Sequence, residues 1–421
     1  MIKEIVGPIP RDENFYDREK LIKEMWEFVE NHDIFLVGPR RFGKSGILIK
    51  MYDVPKEKFK VTYIDCEKLE DPYEFITALL IEVLKNKNLM TRLKDCAHSI
   101  PLLPESILTG IKNNISEIEL MKIKISLRES IKTNWKDESV RCIKELNKLG
   151  TEFDENILFL LDEFPSLLKH MIDNGEYHET KIFLEFFRSL RLDLNLNNIR
   201  FIIAGSRNIQ TVYRNIPDLL LENGEIEPRE ITHFSLNQVF NDFRPVLIEP
   251  FDVEIARGFI KELFGSNQIT VKEDIIEKML ELIGSPVPYF IQLLISEIIR
   301  YHDGELTLEI VEKIYNERIL GPTCRFYFEY YEDRLKDYGS INEKGAKVII
   351  TELSKANKLT RHELFDIFVL ATNSNDSSNF DSLMNDLEMD FYIKLETDNY
   401  SFISKILADW WLRWHPSSSI R

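Results

Sequence analysis

The feature that most constrains the fold is an octet at residues 38–45, GPRRFGKS, which fits the pattern G-x-x-x-x-G-K-[ST]. An apolar run, IFLV at 34–37, precedes it, and a helical run, GILIKMYD at 46–53, follows it. In such a context the two glycines let the backbone wrap around phosphate groups, whose negative charge is favoured at the N-terminus of the next helix. A strand, a phosphate-binding loop (P-loop) and a helix in this order predict a nucleotide-binding α/β domain.

Two side chains of the P-loop have a defined chemistry in this pattern. Lys44 is expected to reach the β- and γ-phosphates of a nucleotide, and the Ser45 hydroxyl is expected to bind Mg²⁺. The sequence therefore predicts ATP and magnesium as the ligands of this loop. The residues predicted to contact the nucleotide here are Gly38, Pro39, Arg40, Arg41, Phe42, Gly43, Lys44, Ser45 and Gly46.

Five short apolar runs alternate with helical stretches as far as about residue 250, which predicts a parallel sheet covered by helices. Each run is almost continuously apolar, as expected of strands that are buried on both faces. The predicted fold class is α/β, with the doubly wound, five-stranded parallel sheet of a P-loop NTPase. The runs are IFLV at 34–37, VTYID at 61–65, ILFLLD at 157–162, IRFIIAG at 199–205 and PVLIEP at 245–250.

The chain between the second and third strands is longer than one helix and two short loops require. We expect a helical insertion at about residues 85–150. Its later part, residues 117–150, has Leu, Ile and Val at helical spacing among many Lys and Glu residues. A pair of packed amphipathic helices is favoured there over an arm that binds a partner.

An acidic pair, Asp162 and Glu163, ends the third strand in the run FLLDEF. The carboxyl ends of parallel strands form the edge at which open α/β sheets bind ligands. Asp162 is expected to hold Mg²⁺ together with Ser45, and Glu163 is expected to orient or deprotonate the attacking water. With Lys44, the pair predicts an ATPase.

The fourth strand is followed by a second group of polar residues. In one large group of P-loop ATPases, a strand between the P-loop strand and the acidic strand carries a polar residue that contacts the γ-phosphate or the water. Ser206 fits this role, and Arg207 and Asn208 are alternatives. A cation also assists hydrolysis, and Arg188, or else Arg191, could supply it to a nucleotide in an adjacent subunit. A surface ion pair is the commoner use of such arginines.

Charge and hydropathy limit the classes of partner. The 421-residue chain has 54 basic and 71 acidic side chains, a net charge of −17, so it has no overall attraction for nucleic acid or for an anionic membrane. Its first residues are charged where a signal peptide is apolar, and no apolar stretch reaches the length of a membrane helix. We expect a cytoplasmic protein with no membrane partner.

Helical periodicity replaces the strand pattern after residue 250. The predicted domains are a P-loop ATPase core at 1–250, a helical lid at 251–335 and a winged helix-turn-helix at 336–421. In the last domain, the third helix falls in SNFDSLMNDLEMD at 378–390, whose acidic side chains would repel DNA. Docking to a protein, or within the chain, is therefore favoured over DNA binding. The tryptophans near the C-terminus, Trp410, Trp411 and Trp414, are expected in the core of this domain.

Together these motifs resemble the archaeal-type ATPases of the STAND branch of P-loop proteins, relatives of the AAA+ class and of origin-recognition ATPases. The likeness spans nearly the whole chain. The resemblance implies that Phe15 and Arg18 lie near the adenine and ribose, although a helix start also explains FYDRE. The matching pieces are FYDRE at 15–19, GPRRFGKS, FLLDEFP, FIIAGSRN, GSPVPYFIQLL at 284–294 and LADWWLRW.

One departure from the origin-recognition pattern concerns the lid. Those relatives carry a phosphate-contacting arginine, called sensor 2, where this sequence has Ser285, Pro286 and Val287. The STAND-like pattern fits better, and its members are described as ATP-dependent switches. A switch that signals to a protein partner is therefore the favoured function, and a DNA-binding loader or translocase is the alternative. Glu163 argues against a scaffold that binds ATP without hydrolysis, and the acidic pair argues against a kinase.

Overall fold

A computed structural model gives the architecture of residues 2–85, 117–192, 194, 196–206, 209, 239–301 and 304–416. For residue 84 and residues 117–133 it describes the backbone alone. Across these ranges, no helix is both long and apolar enough to cross a membrane.

The chain divides into two compact units, which we describe separately. The sheet unit comprises Arg18–Val37 and Lys44–Leu247, and the C-terminal unit comprises Met1–Asp17, Gly38–Gly43 and Ile248–Arg421. The first six residues of the P-loop therefore pack with the C-terminal unit, whereas Lys44 and Ser45 belong to the sheet unit. The three domains predicted from the sequence, with boundaries at residues 250 and 335, stay a prediction.

A five-stranded parallel sheet forms the centre of the sheet unit, in the order β2-β3-β4-β1-β5. The strand after the acidic pair, β4, lies between the P-loop strand β1 and the acidic strand β3. This arrangement confirms the predicted doubly wound P-loop fold class. The strands are Ile34–Val37 (β1), Phe59–Asp65 (β2), Asn156–Asp162 (β3), Ile199–Gly205 (β4) and Arg244–Leu247 (β5).

The fifth strand is shorter than predicted. The apolar run at 245–250 favoured a strand to its end, but β5 stops at Leu247. Leu247 pairs with Val37, the last residue of β1, and β1 continues into the P-loop. Among the described residues, β5 has β1 as its one neighbour in the sheet, so its strand pairing ends where β1 ends.

Helices cover the sheet, and its inner strands are largely buried, as a continuously apolar sequence requires, whereas three of the four residues of the edge strand β5 are exposed, contrary to expectation. In β3, every residue from Ile157 to Asp162 is buried. The helices of the sheet unit are Glu19–Phe28 (α1), Lys44–Asp53 (α2), Pro72–Lys85 (α3), Glu117–Phe153 (α4), Phe164–Asp173 (α5) and Tyr177–Leu192 (α6), with a short 3-10 turn at Cys66–Lys68.

The described part of the predicted insertion is helical. Asn134, with φ −146° and ψ 44°, interrupts α4, so α4 consists of two helical stretches joined at a kink. Residues 117–150 are thus helical, whereas their packing as an amphipathic pair stays a prediction. The remainder of the insertion, residues 86–116, lies outside the described residues.

The C-terminal unit begins with helices and a short 3-10 turn at Asp12–Asn14. Gly284 ends one helix with φ +78°, and Pro288 starts another, so these two residues mark helix ends. The helices of this part are Val253–Ser266 (α7), Glu273–Ile283 (α8), Pro288–Tyr301 (α9), Leu308–Ile314 (α10) and Phe326–Arg334 (α11), with a π-helix at Tyr315–Ile319 and a 3-10 turn at Leu335–Tyr338.

The last part of the chain consists of helices and a small three-stranded sheet. Thr360 and Glu363 form a capping box, and the Asp376 carboxylate caps the next helix, which explains where those two helices begin. Trp410 and Trp411 are buried, as predicted, whereas Trp414 is half-buried. The elements are Ser340–Ala356 (α12), Lys358–Thr360 (β6), Arg361–Thr372 (α13), Ser377–Met389 (α14), Ile393–Glu396 (β7), Asn399–Phe402 (β8) and Lys405–Trp414 (α15), with an antiparallel sheet in the order β6-β8-β7.

Candidate functional site

The predicted site residues of the sheet unit lie at the carboxyl ends of three neighbouring strands. Val37 and Gly205, the last residues of β1 and β4, are paired in the sheet. Ser206 follows Gly205, and Asp162 is the last residue of the adjacent strand β3. Because the strands are parallel, these ends meet at the edge where such sheets bind ligands.

The two glycines of the P-loop fit its geometry in different ways. A Cβ atom at Gly38 would lie 3.3 Å from the Cβ of Ile248, so a side chain there would need Ile248 to move by a few tenths of an ångström. Gly43 has φ +94°, a left-handed conformation that favours glycine, and the space where a Cβ atom would stand is open. Immediately after it, Lys44 is 4% exposed and begins α2, with Gly46 in the first turn.

The residues between the two glycines are held in different environments. Pro39 and Phe42 are buried, Arg41 is half-buried and Arg40 is exposed. Arg41 has φ +73°, which is uncommon for a residue other than glycine. Their predicted contact with a nucleotide stays a prediction, and their side-chain contacts are described below.

Asp162 lies in a buried position among hydroxyl groups. It is 3% exposed, and its Oδ2 accepts a hydrogen bond of 2.8 Å from the Tyr63 hydroxyl. Burial raises the pKa of Asp162 above its ordinary value, while hydrogen bonds from Ser45 and Tyr63 and the charge of Lys44 oppose that rise. The structure thus brings together Ser45 and Asp162, the two predicted Mg²⁺ ligands.

Glu163 is held against the end of the neighbouring strand. Its Oε2 accepts hydrogen bonds of 3.0 Å from both the backbone N–H and the hydroxyl of Ser206. The approach of the two segments is close, since a Cβ atom at Gly205 would lie 2.3 Å from the Cδ of Pro165. Glycine at 205 and the left-handed backbone of Glu163, φ +51°, therefore place the predicted base beside Ser206.

The two candidate arginines of α6 differ in their contacts. Arg191 is 6% exposed, and its guanidinium pairs with Asp242 and Asp33. It also donates to the carbonyl oxygen of Val239 at 2.7 Å. Arg191 is therefore committed to the interior of its own unit. Arg188 is half-buried, and its Nε has no hydrogen-bond partner among the described residues. The predicted role of Arg188 on a neighbouring nucleotide stays a prediction.

The predicted adenine and ribose contacts, Phe15 and Arg18, fall in different units. Arg18 has φ +80° and immediately precedes α1, which agrees with the alternative of a helix start. In the C-terminal unit, Tyr16 packs against Phe259 with ring centroids 4.8 Å apart and against Phe251 at 6.0 Å. The roles predicted for Phe15 and Arg18 stay predictions.

Sequence reasoning missed Tyr63 as a contact of the acidic strand. Tyr63 lies in β2 and is paired with Leu160 in the register of the sheet, two residues before the end of each strand. A phenol among the apolar residues of VTYID was the available signal, because a half-buried tyrosine hydroxyl needs a hydrogen-bond partner. Arg207 and Asn208, the alternatives to Ser206, lie outside the described residues.

Comparison with solved structures supports the fold. A Walker-type ATPase of Pyrococcus abyssi superimposes with a TM-score of 0.62 and 18% identity, over 97% of this chain and 99% of that chain. The Aeropyrum pernix ORC2 protein in ADPNP–ADP complexes gives 0.48, with 11% identity and coverages of 95% and 94%. The Thermotoga maritima RuvB Holliday junction branch migration motor gives 0.37, with 10% identity and coverages of 94% and 95%. The first superposition carries the conclusion, which at this identity concerns the fold alone.

No protein-family model matches the chain, and no curated protein matches it.

Proposed function

We propose that the chain binds ATP with Mg²⁺ at residues 38–46 and hydrolyses it. The observation that carries this proposal is the hydrogen bond between Ser45 of the P-loop and Asp162 of β3, with the buried Lys44 charge beside them. These groups lie far apart in the sequence, and the predicted chemistry requires them to meet. The fold of the Pyrococcus abyssi Walker-type ATPase agrees with the proposal.

The residues present fit a magnesium site. Mg²⁺ prefers oxygen ligands and is usually bound by one or two protein groups together with substrate phosphates. Ser45 and Asp162 supply a hydroxyl and a carboxylate that are already within hydrogen-bonding contact. When bound, Mg²⁺ would neutralise charge on the β- and γ-phosphates.

Glu163 is the proposed catalytic base. In the reaction, the oxygen of a water forms a bond to the γ-phosphorus, the bond from the γ-phosphorus to the bridging oxygen breaks, and Glu163 takes up the proton of the water. The same carboxylate now accepts two hydrogen bonds from Ser206. Ser206 is thus placed to orient Glu163, which extends its predicted role at the γ-phosphate.

The test is ATP binding and hydrolysis by the whole chain and two variants. Lys44→Ala should abolish ATP binding, and Glu163→Gln should retain binding but lose about 10²- to 10⁴-fold in hydrolysis. Asp154→Asn is a matched control, because Asp154 is an exposed carboxylate of the sheet unit that pairs with Lys58. Unchanged turnover in Glu163→Gln would contradict the proposal.

The finer proposal is a switch whose nucleotide state is signalled through the lid at 251–335 and the winged helix at 336–421 to a protein partner. Such a switch requires that ATP bind two conformations with different affinity. Protease digestion of the whole chain with and without ATP tests this. Identical cleavage patterns would leave the chain an ATPase without this switch.

A DNA-binding ATPase is the second candidate, because the charge argument against it is weaker than the sequence indicated. Of the acidic residues in 378–390, Asp386 is fully buried, Asp390 is buried against Arg334, and Asp381 pairs with Arg361. Two of these carboxylates are buried, and the third is paired with an arginine at the surface. They therefore repel phosphate less than exposed, unpaired carboxylates would. Turnover measured with and without duplex DNA separates the candidates, and stimulation of more than a few fold would favour the second.

A further inference from the structure

The middle of the P-loop makes contacts that phosphate chemistry does not explain. The motif defines its glycines, Lys44 and Ser45, and it leaves the residues between the glycines open. In this chain those positions include Arg40, Arg41 and Phe42, and each of the three side chains contacts an aromatic ring of the C-terminal unit.

The two arginines lie over tyrosine rings. The guanidinium carbon of Arg40 is 4.5 Å from the ring centroid of Tyr330, and that of Arg41 is 4.0 Å from the centroid of Tyr289. Arg41 also lies 5.8 Å from the centroid of Tyr327. These distances are within the range of cation–π attraction, which strengthens as the pair is removed from water.

Phe42 makes the third contact. Its side chain is completely buried, and its ring meets that of Phe391 edge-on, with centroids 4.4 Å apart and an interplanar angle of 78°. Phe391 adopts φ +66°, an unusual conformation for a bulky residue. A buried phenylalanine side chain cannot bind a phosphate group, so phosphate binding does not explain the packing of Phe42 against Phe391.

A buried ion pair joins the contacts of Arg40 and Phe42. The Tyr330 hydroxyl accepts a hydrogen bond of 2.8 Å from Arg334, and Arg334 pairs through two nitrogens with Asp390. Asp390 immediately precedes Phe391, and the ring of Phe391 contacts Phe42. This series of contacts therefore leads from the P-loop back to the P-loop. The resulting ring consists of Arg40, Tyr330, Arg334, Asp390, Phe391 and Phe42.

We propose that Tyr289, Tyr330 and Phe391 are positioning residues that hold the P-loop in the conformation in which it binds ATP. The proposal rests on the proposed ATP binding and adds which residues set its affinity. Arg41 has a left-handed backbone conformation, which is unfavourable for an arginine without support, and the rings of these three residues contact this stretch of chain. Binding and positioning are reciprocal, so ATP must in turn stabilise these aromatic contacts.

The test compares ATP dissociation constants, measured by calorimetry with Mg²⁺ on the whole chain. Phe391→Ala and Tyr330→Ala should each raise the dissociation constant about fivefold or more, as is typical of coupling between sites. Turnover at saturating ATP should change much less, because neither residue touches the reacting atoms. The matched control is Phe365→Ala, since Phe365 is a half-buried phenylalanine of the C-terminal unit that packs edge-on against Phe380, with centroids 5.2 Å apart.

A conservative variant separates positioning from a general loss of folding. Tyr330→Phe keeps the ring under Arg40 and should bind ATP nearly as tightly as the wild type, unlike Tyr330→Ala. A double-mutant cycle with Phe42→Leu and Phe391→Leu, two milder changes, should show that their effects on ATP affinity are not additive.

Two results would overturn the inference. One is ATP binding by Phe391→Ala and Tyr330→Ala that is as tight as in Phe365→Ala, or tighter. The other is additivity in the double-mutant cycle. A wild type that fails to bind ATP, or Lys44→Ala that still binds it, contradicts the proposed function instead, so the two failures are distinguishable.

Discussion

Two aspartates in the two units are buried to the same extent but are held in opposite ways. Asp162 in the sheet unit and Asp390 in the C-terminal unit are each 3% exposed. Asp390 accepts hydrogen bonds from two nitrogens of the Arg334 guanidinium and from the hydroxyl of Tyr338. Asp162 has the hydroxyls of Tyr63 and Ser45 as hydrogen-bond donors, and a lysine charge nearby.

The difference lies in how the charge is compensated. A bidentate guanidinium neutralises a carboxylate and uses most of its acceptor capacity, so Asp390 is a structural residue. Hydroxyl donors leave Asp162 with a charge that burial makes unfavourable, as the raised pKa of Asp162 indicates. A buried carboxylate that is held by hydroxyl groups, like Asp162, is suited to binding a cation. Burial alone does not distinguish it from a carboxylate that is paired with an arginine, like Asp390.

The largest effect is expected from removing the charge of Asp390. Asp390→Asn leaves the Arg334 guanidinium buried without its counter-charge, which should lower the free energy of unfolding by about 3 to 5 kcal/mol. Urea unfolding of the C-terminal unit, monitored by tryptophan fluorescence, measures this. Replacing both partners, Arg334→Met with Asp390→Leu, should be less destabilising than Asp390→Asn. Equal losses would mean that the ion pair is not the reason for the effect.

Asp162→Asn should lower turnover without lowering the free energy of unfolding. The change removes a charge that burial disfavours, so the free energy of unfolding without nucleotide should stay the same or rise. Turnover should fall by about 10²- to 10³-fold, equivalent to about 3 to 4 kcal/mol, because the proposed Mg²⁺ ligand is lost. ATPase assays beside urea unfolding give both values. A variant that is strongly destabilised would place Asp162 with Asp390 as a structural residue.

A third carboxylate, Asp33, lies between the two cases. Its Oδ1 accepts a 2.8 Å hydrogen bond from the Phe201 N–H, and Arg191, which it shares with Asp242, lies 3.4 Å from its Oδ2. Burial, opposed by these groups, raises the pKa of Asp33 to about 6. Folding therefore favours the protonated form, and stability is lost as the pH rises from about 4 through about 6.

Asp33→Asn removes this dependence. The variant should gain stability relative to the wild type as the pH rises, by up to about 3 kcal/mol near neutral pH, since each pKa unit corresponds to about 1.4 kcal/mol. Urea unfolding at several values between pH 4 and 7.5 measures the difference. A difference that does not change with pH would show that Arg191 compensates Asp33 fully.

The fold of the sheet unit could be predicted because its signals are local. Each buried strand is a continuous apolar run, and the P-loop fixes the place of β1 and α2. The end of β5 could not be predicted, because it depends on where its neighbour β1 turns away. The order of the strands also depends on pairing between distant segments, and only the place of β4 between β1 and β3 was expected, from a known group of P-loop ATPases.

The candidate site also contains residues that could be predicted from local sequence signals and residues that could not. Asp162, Glu163 and Ser206 could be selected because each follows an apolar strand. For Tyr63 the sequence signals only that its hydroxyl needs a partner, because the identity of that partner depends on the register that brings β2 beside β3. The structural roles of Asp386 and Asp390 were also out of reach, since the sequence shows their charge but not that they are buried.

Tyr63→Phe is expected to have the smallest effect and to test whether hydroxyl donors prepare Asp162 for a cation. The variant keeps the ring and loses the hydrogen bond to Asp162 Oδ2. Groups that orient a metal ligand typically contribute about 10- to 100-fold to metal affinity. Since Tyr63 is one of two hydroxyl donors, the Mg²⁺ concentration for half-maximal ATPase activity should rise about tenfold. Turnover at saturating Mg²⁺ should change little, because Tyr63 does not contact the reacting groups.

Tyr52→Phe is the matched control, since Tyr52 is an exposed tyrosine of the same unit whose ring lies 6.4 Å from that of Tyr63. The same Mg²⁺ dependence in both variants would remove Tyr63 from the site and leave Ser45 as the donor that distinguishes Asp162 from Asp390.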